Sequence, residues 1–259
     1  MKTVVYQSYR TEDVPDWIAR CLAGVRQWTE SKGYDYRFVG DEFFDLLPDD
    51  YRRRAAARLP VLSDLARLIM ARDLLDEGYQ RTIWIDADVL IFDPDHFDIS
   101  IDSDFSFCRE IWIQPDGKGG IKAHRNVHNA VSVFKAGNSF LEFYIDACKR
   151  IIGQFEDGKG LVNQIVGPKL LSSLHNTMGY PVIDNIGMLS PLVLKDIEQG
   201  QGAALDLLVG KTPGPMQAAN LCSSMSESVV DGIELSHSMM GQVVEKLLAN
   251  RGGKLSKKQ

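Results

Sequence analysis

Asp86 and Asp88 stand at the end of the apolar run Arg81-Thr82-Ile83-Trp84-Ile85. Strand side chains alternate with period two, so a strand continued through Asp88 sends both carboxylates to one side. Two carboxylates at the C-terminal end of a buried strand make a poor core but a good seat for a hard divalent cation. Seven aspartates and no lysine or arginine fall from Asp86 to Asp104. The local field is therefore anionic, and a metal, with a phosphate held through it, would relieve the repulsion. Upstream, Asp64 and Arg67 are spaced i, i+3 and share a helix face.

These residues need elements to position them. Lys2 to Tyr6 reads as a first strand, rich in β-branched residues. Pro15 suits a helix N-terminus, and Trp17, Ile18, Cys21, Leu22, Val25 and Trp28 follow at helical spacing up to a Gly33 stop. A second strand is expected over residues 35–39 and a polar, Arg-rich helix over 49–58. A long amphipathic helix runs from about Pro60 to Glu77, with Val61, Leu65, Leu68, Ile69 and Leu75 inward and Gly78 just past its end. The carboxylate strand comes next, then strands at 105–108 and 130–134 and a helix over 138–152. Alternating strands and helices predict an α/β fold with a mostly parallel central sheet flanked by helices. Ligands of such sheets bind beyond the carboxyl ends of the strands, where Asp86 and Asp88 fall.

From about Gly153 the pattern loosens. Residues 115–120 and 200–215 are Gly/Pro-rich and read as long loops, candidates for lids. Lys118, Lys122, His124 and Arg125 form a basic loop just before Asn129, a candidate acceptor contact. Arg52, Arg53 and Arg54 read as a solvated helix face. One domain over 1–250 is expected, followed by a basic tail over 251–259 that should be disordered.

The 259 residues are ample for one large core. A net charge of −6 argues against a nucleic-acid binder. The four cysteines contain no Cys-x-x-Cys pair, so neither a zinc knuckle nor a redox motif is indicated. The N-terminus lacks a signal-peptide core, and no apolar run reaches the ~18–20 residues of a membrane span. A cytoplasmic protein is expected, with peripheral association at an anionic membrane left open.

The stretch Tyr79-Gln80-Arg81-Thr82-Ile83-Trp84-Ile85-Asp86-Ala87-Asp88 resembles the "YxRvlylDaD" strand of GT-A fold (Rossmann-like) glycosyltransferases, particularly the retaining family 8 enzymes. Ser63-Asp64-Leu65-Ala66-Arg67 is similar to the Ser-Asp-x-x-Arg helix of the related family 32 and clostridial-toxin-type transferases. Val5-Tyr6-Gln7-Ser8-Tyr9 resembles their opening strand, His128-Asn129-Ala130-Val131 their donor-sugar segment, and Gly167-Pro168-Lys169-Leu170-Leu171 the helix start that completes the site.

The resemblance spans roughly residues 3 to 190, in order. It implies a nucleotide-diphosphate sugar donor and Mn²⁺ or Mg²⁺ held by Asp88, with Asp86 bridging metal, ribose and sugar. It implies Asp64 and Arg67 at the sugar or diphosphate, and Tyr6, Gln7 and Ser8 at the nucleotide. Asn129 and Gln164 would meet sugar hydroxyls, and the acceptor would be a glycan, lipid or small molecule.

The family 8 "HxxGxxKPW" motif is not matched. His237, without Lys-Pro-Trp, is the late candidate for a third metal ligand, and Lys211 for the lysine at the diphosphate. Two alternatives stand beside the leading reading. One is a non-catalytic nucleotide- or glycan-binding module. The other is a phosphatase of the haloacid dehalogenase type, in which Asp86 would be a nucleophile.

Overall fold

The period of two along the strands distributes apolar side chains to two sheet faces, and helices cover both. The computed structural model describes residues 1–156 and 158–256. In chain order it contains β1 (Thr3–Ser8), α1 (Asp16–Ser31), β2 (Asp35–Val39), α2 (Asp49–Ala55), α3 (Leu59–Asp76), β3 (Arg81–Ile85), β4 (Val89–Ile91), β5 (Phe105–Pro115), β6 (Ile121–Lys135) and α4 (Phe140–Ile152). There follow α5 (Pro168–Met178), β7 (Val182–Ile183), β8 (Ile186–Met188), α6 (Pro191–Gln199), α7 (Ala203–Lys211), β9 (Ala218–Asn220), β10 (Val229–Val230), β11 (Ile233–Glu234) and α8 (His237–Ala249).

A six-stranded sheet has the order β2-β1-β3-β6-β5-β7. The β1–β2, β1–β3 and β5–β7 pairings are parallel, while β6 runs antiparallel to both β3 and β5. The fold is thus α/β with a mostly parallel central sheet flanked by helices, as the alternation predicts.

On one face Val4, Tyr6, Trp84 and Phe134 pack with Leu65 and Leu68 of α3 and Tyr144 of α4. On the other, Val5, Ile83, Ile85 and Val133 meet Val25 and Trp28 of α1. The expected inner face of the long helix holds: Val61, Leu65, Leu68 and Ile69 are buried. Gly78, at φ +94°, ends that helix in the left-handed conformation glycine tolerates.

A second, three-stranded sheet of order β4-β9-β8 lies beyond the end of β3. It adjoins a third apolar core, in which Trp17 and Cys21 of α1 pack with Val193, Leu205 and Val244 of α6, α7 and α8.

Several sequence expectations change. Residues 115–120 are not a long loop but the turn of one hairpin, β5–β6, paired out to Pro115 and Ile121. Lys122, His124 and Arg125 therefore sit on a strand. Residues 200–215 are not a loop either: α7 occupies most of that stretch, and Ala204, Leu205 and Leu208 bury against the third core. The Gly and Pro residues cluster at the ends of that helix, which gave the stretch its loop-like composition.

The tail is ordered at least through Ser256, since Gly253–Ser256 forms a 3₁₀ turn and the Leu255 side chain is buried. Met216 N–H donates to the Leu255 carbonyl at 2.8 Å, and a Cβ on Gly252 would lie 2.4 Å from the Phe92 ring. One apolar side chain and a close glycine contact outweigh the basic composition. Residues 257–259 lie outside the described residues.

Candidate functional site

The end of β3 is shaped by a tight turn. Pairing with β6 stops at Ile85, and the Asp86 N–H makes a last bond to the Ala130 carbonyl at 2.7 Å. Residues 86–88 then turn, with the Val89 N–H donating to the Asp86 carbonyl at 3.1 Å, before β4 leaves for the second sheet. Asp86 and Asp88 are therefore not two positions on one strand face. The turn, not the pleat, sets their directions, and each meets a different sheet.

Asp86 turns toward α3. Its Oδ1 accepts from Arg67 Nη1 at 3.0 Å and from Trp84 Nε1 at 2.5 Å. Arg67 is buried and spends its fork entirely on the protein: Nε donates to the Ser63 carbonyl, Nη1 also to the Asn129 carbonyl, and Nη2 lies 3.4 Å from Asp64 Oδ1. Its guanidinium also stacks over the Trp84 ring, 4.9 Å from the centroid. Asp64 takes a second bond from Asn129 Nδ2 at 2.7 Å, and its Oδ2 sits so close to Gly167 that a Cβ there would lie 2.6 Å away. The resembling segments around 64–67, 86, 129 and 167 thus converge on one point from α3, β3, β6 and the start of α5.

Asp88 turns toward the second sheet. Its Oδ1 accepts from Asn220 Nδ2 at 2.7 Å and its Oδ2 from the Ser223 N–H at 2.6 Å. Its carbonyl accepts from the Leu221 N–H at 3.0 Å. Asn220 Oδ1 in turn accepts from the Cys222 N–H, and Cys222 adopts a left-handed φ of +56°. Asp88 is buried and anchored.

Asp64 and Asp86 share the Arg67 guanidinium, and Asp64 and Asp88 are buried while Asp86 keeps 25% of its side-chain surface exposed. Burial pushes Asp86 up to about 7 against the opposing pull of Arg67. Burial likewise raises Asp64, opposed by Arg67, and Asp88, opposed by the bonds from Ser223. Removing water disfavours each charged form; one arginine faces two carboxyl groups, and Asp88 has only neutral donors.

The other candidates lie as follows. Tyr6 is fully buried and its hydroxyl donates to the Arg67 carbonyl at 2.7 Å, so it braces α3 rather than facing a base. Gln7 is also fully buried: its Nε2 donates to the Ile85 and Asp86 carbonyls and its Oε1 accepts from the Tyr36 hydroxyl. It holds the turn from inside. Ser8, half-buried at the end of β1, reaches the Gly40 carbonyl at 3.5 Å. Gln164 is exposed in the turn before Gly167.

Lys211 is exposed on the last turn of α7, and no contact ties it to the carboxylates. His237 opens α8, where its Nδ1 accepts from Trp17 Nε1 at 3.1 Å. The structure does not bring His237 to Asp86 or Asp88. Among the described residues no three His, Cys, Asp or Glu side chains are grouped to hold a metal as they stand. Arg52 and Arg53 pair with Asp49 and Asp50 on their own helix, in line with a solvated face, whereas Arg54 is half-buried and also donates to the Gly153 and Phe155 carbonyls.

The sequence reading missed Trp84, Asn220 and Ser223. Trp84 is two residues before Asp86, and its proximity was the available signal. Asn220 and Ser223 lie more than 130 residues from Asp88, and nothing local marks them.

The donor set suits a hard cation that brings further oxygen ligands of its own. Asp86 Oδ2 accepts no hydrogen bond among the described residues, and each Asp88 carboxylate oxygen, with one hydrogen bond, keeps a second lone pair. A divalent ion would also offset the excess of buried carboxyl groups.

No protein-family model matches the chain, and no curated protein matches it. Among solved structures it is similar to a glycosyltransferase involved in the glycosylation of the major capsid of PBCV-1. The match has 10% sequence identity, covers 95% of this chain and 99% of that one, and has a TM-score of 0.45. At that identity and score the likeness assigns neither a family nor an activity. No helix among the described residues is long and apolar enough to cross a membrane.

Proposed function

We propose that the chain is a metal-dependent glycosyltransferase that moves a sugar from a nucleotide-diphosphate sugar to an acceptor, with retention. One observation carries the reading: beyond the carboxyl end of β3, Asp64 and Asp86 meet at the single buried Arg67, and Asp88, two residues on from Asp86, is held by neutral donors alone. Such a cluster is costly for stability alone, because buried carboxyl groups without matched cations oppose folding. It is explained by a ligand that brings positive charge and oxygen atoms together.

In this reading Asp86, through its free oxygen, and Asp88 hold Mn²⁺ or Mg²⁺. The ion supplies Lewis-acid neutralisation of the charge that develops on a departing diphosphate. Asp64, fixed by Asn129 and Arg67, presents acceptor oxygens to donor-sugar hydroxyls. Arg67 keeps Asp64 and Asp86 in register, and Gln7 pins the turn between the two metal carboxylates.

Thermal unfolding with UDP, GDP, CDP and dTDP, each with and without Mn²⁺, tests this. A nucleotide at ~100 times its dissociation constant stabilises by ~2.7 kcal/mol. A shift for one nucleotide that requires Mn²⁺ is expected, and its absence for all four refutes the reading. A phosphomonoester assay separates the phosphatase alternative.

The second reading, binding without turnover, is favoured by the hydrogen bonds that already engage three of the four oxygens of Asp86 and Asp88. A Mn²⁺-dependent nucleotide shift without hydrolysis or transfer of the matching nucleotide sugar would identify it.

A further inference from the structure

Glu110 is a buried carboxylate outside the group described above. It lies on β5, and Asn126 Nδ2 donates to its Oε1 at 3.2 Å. Among the described residues no donor reaches Oε2, and no Lys, Arg or His pairs with it. Burial raises its proton affinity, with only the Asn126 amide opposing. A carboxyl group nine-tenths covered and matched by one neutral amide is a poor structural choice, and such groups concentrate at binding sites.

The surroundings of Glu110 follow from the hairpin register. Glu110 stands opposite Asn126 and Trp112 opposite His124, and strand alternation puts all four on one face. The other face is apolar, with Ile111 and Ile113 buried in the third core. Trp112 is half-buried on the polar face. Trp17, Trp28 and Trp84 each donate an indole hydrogen bond and stack or cross another ring or cation; Trp112 does neither among the described residues. An indole with a free face and a free N–H, two residues from a free carboxylate, is a surface without a protein partner.

This face begins at the candidate site. Asn126, opposite Glu110 on β6, stands three residues before Asn129, whose amide holds Asp64, and four before Ala130, whose carbonyl accepts from the Asp86 N–H at 2.7 Å. From Glu110 the face runs outward, with Trp112 about 7 Å further along the strand.

We propose that this face of the β5–β6 hairpin is the acceptor subsite and that the acceptor is a saccharide, its ring lying on Trp112 and a hydroxyl donating to Glu110 Oε2. The inference rests on the glycosyltransferase reading. An indole face is electron-rich and flat, and it suits the weakly positive C–H face of a pyranose. Glu110 and Asn126 offer an acceptor and an amide to the hydroxyl edge, and His124 borders the outer end. The opposing chemistry, an anionic headgroup or phosphopeptide, would place its charge beside Glu110 and the Asp86–Asp88 turn.

Saturation-transfer NMR on the full chain tests it, using the methyl glycosides of glucose, galactose, mannose and N-acetylglucosamine, with thermal shifts for UDP, GDP, CDP and dTDP, each with Mn²⁺, recorded on the same samples. At least one glycoside should receive saturation, strongest at its C–H face. Its affinity should fall about tenfold in Trp112→Ala, less in Trp112→Phe, and measurably in Glu110→Gln, while the nucleotide shift is retained. Trp112→Phe keeps a ring in place and guards against loss of fold in the alanine variant.

Saturation of no glycoside, or saturation unchanged in all three variants, overturns the acceptor assignment. If a Mn²⁺-dependent nucleotide shift persists in that case, the donor reading stands and the acceptor assignment alone fails. If the shift is also missing, the glycosyltransferase reading has failed with it.

Discussion

Replacing Arg67 by alanine removes the cation shared by Asp64 and Asp86 and breaks five interactions. The Ser63 and Asn129 carbonyls lose hydrogen bonds, Asp86 loses its 3.0 Å bond, Asp64 its ion pair, and Trp84 its stacked guanidinium. Breaking a buried pair costs about 3–5 kcal/mol, because the partner carboxylate stays behind uncompensated. For a chain of this size that corresponds to a fall in Tm of roughly 10 °C.

The deficit should depend on pH with a definite sign. Burial already raises the folded-state pKa of Asp86, to about 7, and that of Asp64, with Arg67 opposing both. Removing Arg67 raises them further. A carboxyl group raised in the folded state contributes stability that is complete below its unfolded pKa and is lost as pH rises through the folded pKa. The variant's deficit should therefore be largest at pH 8 and shrink toward pH 5, where protonation neutralises Asp86 and Asp64. Urea unfolding of both proteins at pH 5, 6, 7 and 8 measures this. A deficit below about 1 kcal/mol at pH 8, or one that grows on acidification, would refute the account of Arg67 as the charge-matching strut.

Asp88→Ala should abolish the Mn²⁺-dependent nucleotide shift. It should also destabilise the apo protein by about 1–3 kcal/mol, because the Ser223 N–H and Asn220 amide lose their acceptor. A more stable apo variant, as expected for an exposed repelling carboxylate, would contradict the anchoring seen here. Gly167→Ala puts a Cβ 2.6 Å from Asp64 Oδ2 and should cost about 1–3 kcal/mol while displacing Asp64; an unchanged Tm and unchanged sugar transfer would show that the contact relaxes freely.

His128 is fully buried, and burial depresses its pKa to about 4. Between the ordinary histidine value of about 6.5 and pH 4 the unfolded chain binds a proton that the folded chain refuses, so stability present above pH 6.5 is lost on acidification. His128→Asn should remove up to roughly 3 kcal/mol of that loss, read as the difference between the two proteins' pH–stability curves. Parallel curves would show that His128 does not titrate as its burial requires.

Much of the frame was legible in the chain because it rests on local periodicity. The apolar spacing of residues 61–69 declares a buried helix, the run at 81–85 a buried strand, and i, i+3 spacing puts Asp64 and Arg67 on one face. Those signals need only neighbouring residues, and the structure agrees with each. Composition misled where it stood in for packing. The Gly/Pro content at 200–215 hides a helix whose apolar side chains find a core, and a basic C-terminal stretch docks through Leu255.

The site's electrostatics belong to the tertiary structure alone. Period-two reasoning placed Asp86 and Asp88 side by side, but β3 ends one residue earlier and the turn sends Asp86 to Arg67 and Asp88 to Asn220 and Ser223. Tyr6 and Gln7, singled out as ligand contacts, are instead consumed in bracing that turn. The physical reason is distance along the chain. A residue's type and its near neighbours determine what it can do, whereas the groups that match or oppose its charge arrive from elements up to 135 residues away. Only the folded arrangement decides which of them arrive.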